Sequence, residues 1–175
     1  NNEPPNNSSW VVLTGFMCSG KSSVAPIVAQ SLNYLCFDLD DEVERVNDLS
    51  ISSLISNGVS FFRSEEVKAF NLLRAKHQNN SLVLSLGGGA LLNPQILTCV
   101  LQMSQTFYLA ASQSVLTQRL HGSGRPLWDD NFSDLMAERL SGYQQMRYEI
   151  KTDLLSLQRV AEEVLMTVKS QKSNR

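Results

Sequence analysis

The chain has 175 residues, a formal net charge of -2 and a pI near 5.7, so no basic field points to nucleic acid or to an anionic membrane surface. A hydrophobic share of 42% and a charged share of 18% suit one compact domain with a full core, and no apolar run reaches the length of a membrane span. The scattered cysteines Cys18, Cys36 and Cys99 make no disulfide framework and fit a reducing compartment, and neither they nor His77 and His121 have zinc-ligand spacing.

Residues 1–9 are rich in Asn, Ser and Pro and predict a disordered leader that lacks the apolar stretch of a signal peptide. The expected location is the cytoplasm; residue 1 is not Met, so organelle targeting by an upstream segment is the alternative. A single domain is expected over 10–169, with a polar, fraying tail at 170–175. Trp10 to Thr14 is a short apolar run without alternation, as in a strand buried on both faces. A Gly-rich turn and a helix to about Leu32 follow, then a second strand at 34–37 that ends on acidic residues 38–42. Residues 41–77 read as helix in pieces, broken near Asn57-Gly58. Further strands are predicted at 82–86, 106–109 and 148–152, with helices from about Pro94, over 112–120, over 132–147 and over 156–168. His121 to Asn131 reads as an exposed loop. Strands alternating with helices predict a three-layer α/β fold around a parallel sheet, with ligands outside the carboxyl ends of its strands.

Gly15-Phe-Met-Cys-Ser-Gly20-Lys21-Ser22 fits G-x-x-x-x-G-K-[ST] between a buried-type strand and a helix. Glycines let the backbone N–H groups converge on phosphate oxygens, at the positive end of the helix that follows. Lys21 would reach the terminal phosphates and the Ser22 hydroxyl would ligate Mg²⁺. Two residues strain the motif: Cys18, where Gly would be freer, and Pro26, which removes a helical hydrogen bond to the Ser22 carbonyl.

Asp38 and Asp40 end the second strand, and with period two their carboxylates would share a face if the strand continued. One could hold Mg²⁺ through water and the other accept a hydroxyl proton; the plainer alternative is that Asp40 or Asp41 caps the next helix. Gly87, Gly88 and Gly89 leave the backbone bare at the end of strand three, as a flexible turn or for close approach of a ligand. Arg63 follows the apolar pair Phe61-Phe62, expected to hold the start of its helix, and Arg139 lies on the helix after the loop. A guanidinium suits bidentate recognition of a carboxylate, though either Arg alone is more often solvated.

Together these segments resemble shikimate kinase from about Trp10 to Val168. The resemblance is carried by residues 15–22, Phe-Asp-Leu-Asp at 37–40, Phe-Arg at 62–63, Leu-Gly-Gly-Gly-Ala at 86–90, Arg-Pro-Leu at 125–127, and Arg139 with Tyr143. It implies a nucleoside-monophosphate-kinase-like fold of the P-loop NTPase type, its five parallel strands ordered 2-3-1-4-5. The implied activity moves the ATP γ-phosphate to the shikimate 3-hydroxyl, a step toward chorismate and the aromatic amino acids. Lys21, Asp40 and Arg125 are then catalytic, with Asp40 the candidate base and Arg125 on a mobile lid at about 121–131. Gly15, Cys18, Ser19, Gly20, Lys21, Ser22, Ser23, Arg119 and Arg125 would bind ATP, Arg119 beside the adenine. Asp40, Arg63, Gly87, Gly88, Gly89 and Arg139 would bind shikimate, and Ser22 with Asp38 would serve Mg²⁺. No obvious exposed apolar stripe asks for a protein partner, so a monomer is expected, and charge and composition predict binding to neither nucleic acid nor membrane.

The chain departs from the family at Cys18, usually Gly, at Pro26, at Trp128, at Arg147, and in a slightly short stretch from Arg119 to Arg125. Two rival readings remain beside this one: another small hydroxy-acid kinase of gluconate type, and a degenerate relative that binds nucleotide without catalysis.

Overall fold

A computed structural model describes residues 9–122 and 132–173. The central sheet is parallel, five-stranded and ordered β2-β3-β1-β4-β5, from β1 (Trp10–Thr14), β2 (Leu35–Asp38), β3 (Leu82–Ser85), β4 (Gln105–Ala110) and β5 (Tyr148–Lys151). Residues 11–13 of β1 lie opposite 83–85 of β3 and 105–107 of β4. Successive side chains of a strand point to opposite faces, so β1 feeds two cores at once. Val12 joins Leu82, Leu84 and Tyr108 on one face, and Val11 and Leu13 join Val83, Phe107 and Leu109 on the other. That double burial is why the strand shows no alternation in its sequence.

On the second face pack α1 (Lys21–Leu32) and α8 (Leu157–Ser173). Val24, Ala25, Val28 and Ala29 meet Val160, Ala161, Val164 and Val168 at helical spacing. Each fully buried valine contributes roughly 1.5–3 kcal/mol by leaving water. On the first face lie α2 (Leu39–Asn47), α3 (Ile51–Ser56), α4 (Val59–Lys76), α5 (Pro94–Leu101), α6 (Gln113–Gly122) and α7 (Phe132–Tyr143), with a 3-10 turn at Ala90–Leu92. Among the described residues no helix is long and apolar enough to cross a membrane.

Several boundaries differ from the sequence reading, each for a local reason. β2 stops at Asp38, and the chain turns helical at Leu39 instead of continuing as a strand. Leu39, Val43 and Val46 recur at helical spacing and face the core, and that pattern wins over the acidic alternation. The cap of α2 is Asp38, which accepts from the Asp40 N–H at 3.0 Å, so neither Asp40 nor Asp41 is the capping residue. α7 ends at Tyr143, short of Arg147, because the chain closes into turns from Gln145 N–H to Gly142 O and from Met146 N–H to Tyr143 O. α8 continues to Ser173, past the point where a frayed tail was expected. Of the pair at the start of α4, Phe62 is 6% exposed and anchors the helix, whereas Phe61 is 42% exposed and does not. His121 and Gly122 belong to α6; the rest of the expected lid, 123–131, lies outside the described residues.

Candidate active site

The turn from β1 into α1 wraps a short loop that only certain backbones can make. Gly15 has φ 147°, and a Cβ there would sit 2.6 Å from the Leu109 carbonyl oxygen, so glycine is required for both conformation and space. Gly20, at φ 102°, caps α1. Cys18 also has positive φ, 61°, the one place in the loop where a side chain sits in the left-handed region. The strain read from the sequence at this position is therefore real, about 1–2 kcal/mol for a residue with a Cβ.

Lys21 turns back over the loop, its Nζ donating to the Phe16 carbonyl at 2.8 Å. The side chain is buried, and loss of water lowers its pKa to about 8, while Asp40, Asp38 and Cys18 pull the other way. Ser22 Oγ donates to Asp38 Oδ2 at 2.6 Å, which ties the head of α1 to the end of β2. A hydroxyl and a carboxylate already in contact are hard oxygen donors suited to Mg²⁺. No group of three acidic, His or Cys ligands occurs among the described residues. A cation here would take its other ligands from phosphate oxygens and water, as Mg²⁺ commonly does. Ser19 is buried with its Oγ unpartnered, and Ser23 opens to solvent on the next turn. Arg119 of α6 donates from Nη1 to the Cys18 carbonyl at 3.2 Å, which sets it beside the loop.

A cleft of about 220 Å³ runs from Ser22 and Lys21 to Asp40, Gly87 and Gly88. The glycine run forms its far wall, and each glycine clears a different side chain. A Cβ on Gly87 would lie 2.5 Å from Asp40 Oδ1, one on Gly88 would lie 3.0 Å from Arg139 Nη1, and one on Gly89 would overlap the Arg63 guanidinium. The run is thus a bed for one acid and two cations. Burial raises the Asp40 pKa above the usual carboxylate value, Asp38 adds to it, and Lys21 and Arg63 oppose it. Burial lowers that of Arg139, and neighbouring Arg63 adds to the effect. Arg139 Nε is buried without a hydrogen-bond partner, with its guanidinium 5.3 Å from the Phe16 ring centroid. A buried cationic donor without a partner is costly, and a ligand carboxylate would satisfy it.

The structure brings together every site residue named from the sequence except Arg125, which lies outside the described residues. It also adds three. Glu66, 1% exposed, accepts from Arg63 Nη1 at 2.7 Å and leaves its other oxygen unpartnered. Its i,i+3 spacing from Arg63 was readable, but Glu65 and Lys68 share the same spacing and form an ordinary surface-edge pair. Tyr143 donates to the Gly88 carbonyl. Leu157 at the head of α8 packs on Gly20, where an added Cβ would be 3.1 Å away, and is 45% exposed. Nothing local in the sequence marks it, since only the tertiary fold brings residue 157 to residue 20.

A glycine loop carrying lysine and serine at the head of a helix, opening onto a cleft with a half-buried acid and with two arginines against its glycine wall, defines a P-loop kinase. Comparison with known proteins narrows this. A sequence profile for the family described as shikimate kinase matches residues 17–169, and the chain belongs to that family. A shikimate kinase of Chlorobium phaeobacteroides is 32% identical over 160 residues, covering 83% of each chain. Among solved structures, shikimate kinase from Acinetobacter baumannii in complex with shikimate matches with TM-score 0.84 at 27% identity, over 95% of this chain and 96% of that one. Shikimate kinase from Aquifex aeolicus matches with TM-score 0.77 at 29% identity, over 95% and 99%. A gluconokinase from Sinorhizobium meliloti, at 18% identity and TM-score 0.65 over 97% and 95%, shares the fold alone.

Proposed function

We propose that this chain transfers the γ-phosphoryl group of ATP, with Mg²⁺, to the 3-hydroxyl of shikimate. The observation that carries the reading is the bed formed by Gly87, Gly88 and Gly89, which gathers Asp40, Arg139 and Arg63 at the end of the cleft that begins at Lys21 and Ser22. Shikimate offers a carboxylate to the two arginines, and the unpartnered Arg139 Nε is a donor suited to it. Its 3-hydroxyl would then lie toward Asp40, which takes the hydroxyl proton as the oxygen attacks phosphorus. Lys21 balances charge on the terminal phosphates with the donors that the Phe16 carbonyl leaves free. Ser22 and Asp38 would hold Mg²⁺, which when bound neutralises charge on the β- and γ-phosphates. Arg119 and Leu157, on either side of the loop, offer a cationic and an apolar edge for the base. Arg125 is assigned to the phosphates on the resemblance alone.

The test is ADP release measured with shikimate, with gluconate and without acceptor. Turnover with shikimate only is expected. Turnover with gluconate instead would overturn the acceptor. The left-handed backbone at Cys18 favours one rival, a protein that binds nucleotide without catalysis; MgATP binding with no turnover on any acceptor would establish it.

A further inference from the structure

One buried group in the acceptor pocket has no task in the mechanism above. Tyr143 closes α7 and is 2% exposed. Its ring stacks on Tyr108 of β4, with centroids 5.1 Å apart and planes 25° from parallel. A buried phenol needs a partner for its O–H, and this one donates to the Gly88 carbonyl at 2.5 Å. The Arg139 guanidinium, one turn earlier on the same helix, lies at the same glycine, with Nη1 3.0 Å from the Gly88 Cβ position. A phenolic oxygen carries one proton and can still accept, so it can donate to Gly88 and accept from Arg139 together.

Gly88 is hemmed in as well. Its Cβ position is 3.0 Å from Arg139 Nη1 and 3.5 Å from the Met17 nitrogen of the phosphate loop. No cis peptide occurs among the described residues. In a planar trans peptide the N–H points opposite to the C=O, so holding the Gly88 carbonyl on Tyr143 turns the Gly89 N–H away from α7. Arg63 occupies the space above Gly89.

We propose that Tyr143 is a positioning residue for the acceptor: its hydroxyl fixes the Gly88–Gly89 peptide and the Arg139 guanidinium as one unit, so that a backbone donor and a cation are aimed together. The inference rests on the acceptor reading of this pocket. It makes the hydroxyl, rather than the ring, the group that matters for recognition.

Tyr143→Phe keeps the ring and its stacking and removes one oxygen. The variant should show a Kd and KM for shikimate raised about tenfold, the worth of one well-placed hydrogen bond, with the KM for MgATP within twofold and kcat within threefold. Tyr108→Leu removes the stacking partner and leaves the hydroxyl, so it should lower Tm while leaving the shikimate Kd within twofold. An unchanged shikimate Kd in Tyr143→Phe overturns the inference, as does an equal rise in both KM values. A loss in Tyr108→Leu as large as that in Tyr143→Phe also overturns it, because packing would then explain both. Calorimetric titration of the unaltered protein with shikimate separates the two levels. Absence of binding there refutes the acceptor reading, whereas binding matched by Tyr143→Phe refutes only the role of Tyr143.

Discussion

Asp40 stands between two demands. As the proposed base for the acceptor it must be ionised, yet burial and the nearby Asp38 favour its protonated form. Its raised pKa means that the folded protein holds this proton more tightly than the unfolded chain does. Folding therefore bears a cost above the raised value, and that cost shrinks as pH falls toward the ordinary carboxylate range. Asp40→Asn should lower kcat by about 10²–10⁴-fold, the usual worth of a positioned base. The same variant should be more stable at neutral pH by about 0.5–2 kcal/mol, with the gain vanishing on acidification. Denaturation of both proteins from pH 7 down to pH 4 checks the sign. At this scale the sequence marked Asp40 by its place after a strand but supplied the wrong geometry. The pair meets because Asp38 caps α2 and Asp40 lies in its first turn, not because a strand alternates.

Among the elements, the glycine run and α1 carry the clearest consequences. Gly89 has φ -106° and ψ 4°, a conformation open to any residue. Gly89→Ala is accordingly a steric test, in which the new methyl meets the Arg63 guanidinium first. It should weaken shikimate binding at least tenfold and leave MgATP binding within twofold, as read by calorimetry with each ligand. Pro26 tests the opposite case. It and Ser22 are both exposed on α1, so the missing helical hydrogen bond falls on the solvent side of the helix. Pro26→Ala should stabilise the protein by about 1–2 kcal/mol, since it restores that bond at a small cost in unfolded-state freedom. Chemical denaturation measures the gain, and a loss would mean that the ring fixes the helix more than it strains it. The run of three glycines was visible in the sequence, but which side chain each one clears was not. Arg63, Asp40 and Arg139 reach it from three separate helices, and no spacing along the chain encodes that convergence.

For the molecule as a whole, the sheet divides labour between its faces. α1 and α8 hold the phosphate loop from one side, while α2, α4 and α7 on the other supply Asp40, Arg63 and Arg139. This architecture was legible because buried parallel strands and amphipathic helices leave different periods in the sequence. The resemblance supplied the strand order, which periodicity alone does not. Leu49, Ile55, Val59 and Phe61 leave apolar surface exposed around α3 and the start of α4. Such scattered surface is common on monomers, and the protein should sediment as a monomer of 19.5 kDa at micromolar concentration. A concentration-dependent dimer would refute that expectation and direct attention to this segment.

The contact between Lys21 and the Phe16 carbonyl has one more consequence. The lysine already has a partner inside its own loop, so its ammonium is positioned before an anion arrives. An ammonium has three donors and the loop engages one of them, so the remaining two are held ready for a phosphate oxygen. A lone sulfate or inorganic phosphate would draw on that ammonium and a few loop N–H groups, whereas a triphosphate would engage the loop backbone, Lys21 and Ser22 together. The loop should therefore favour long polyphosphates over small oxyanions, through the number of groups engaged at once.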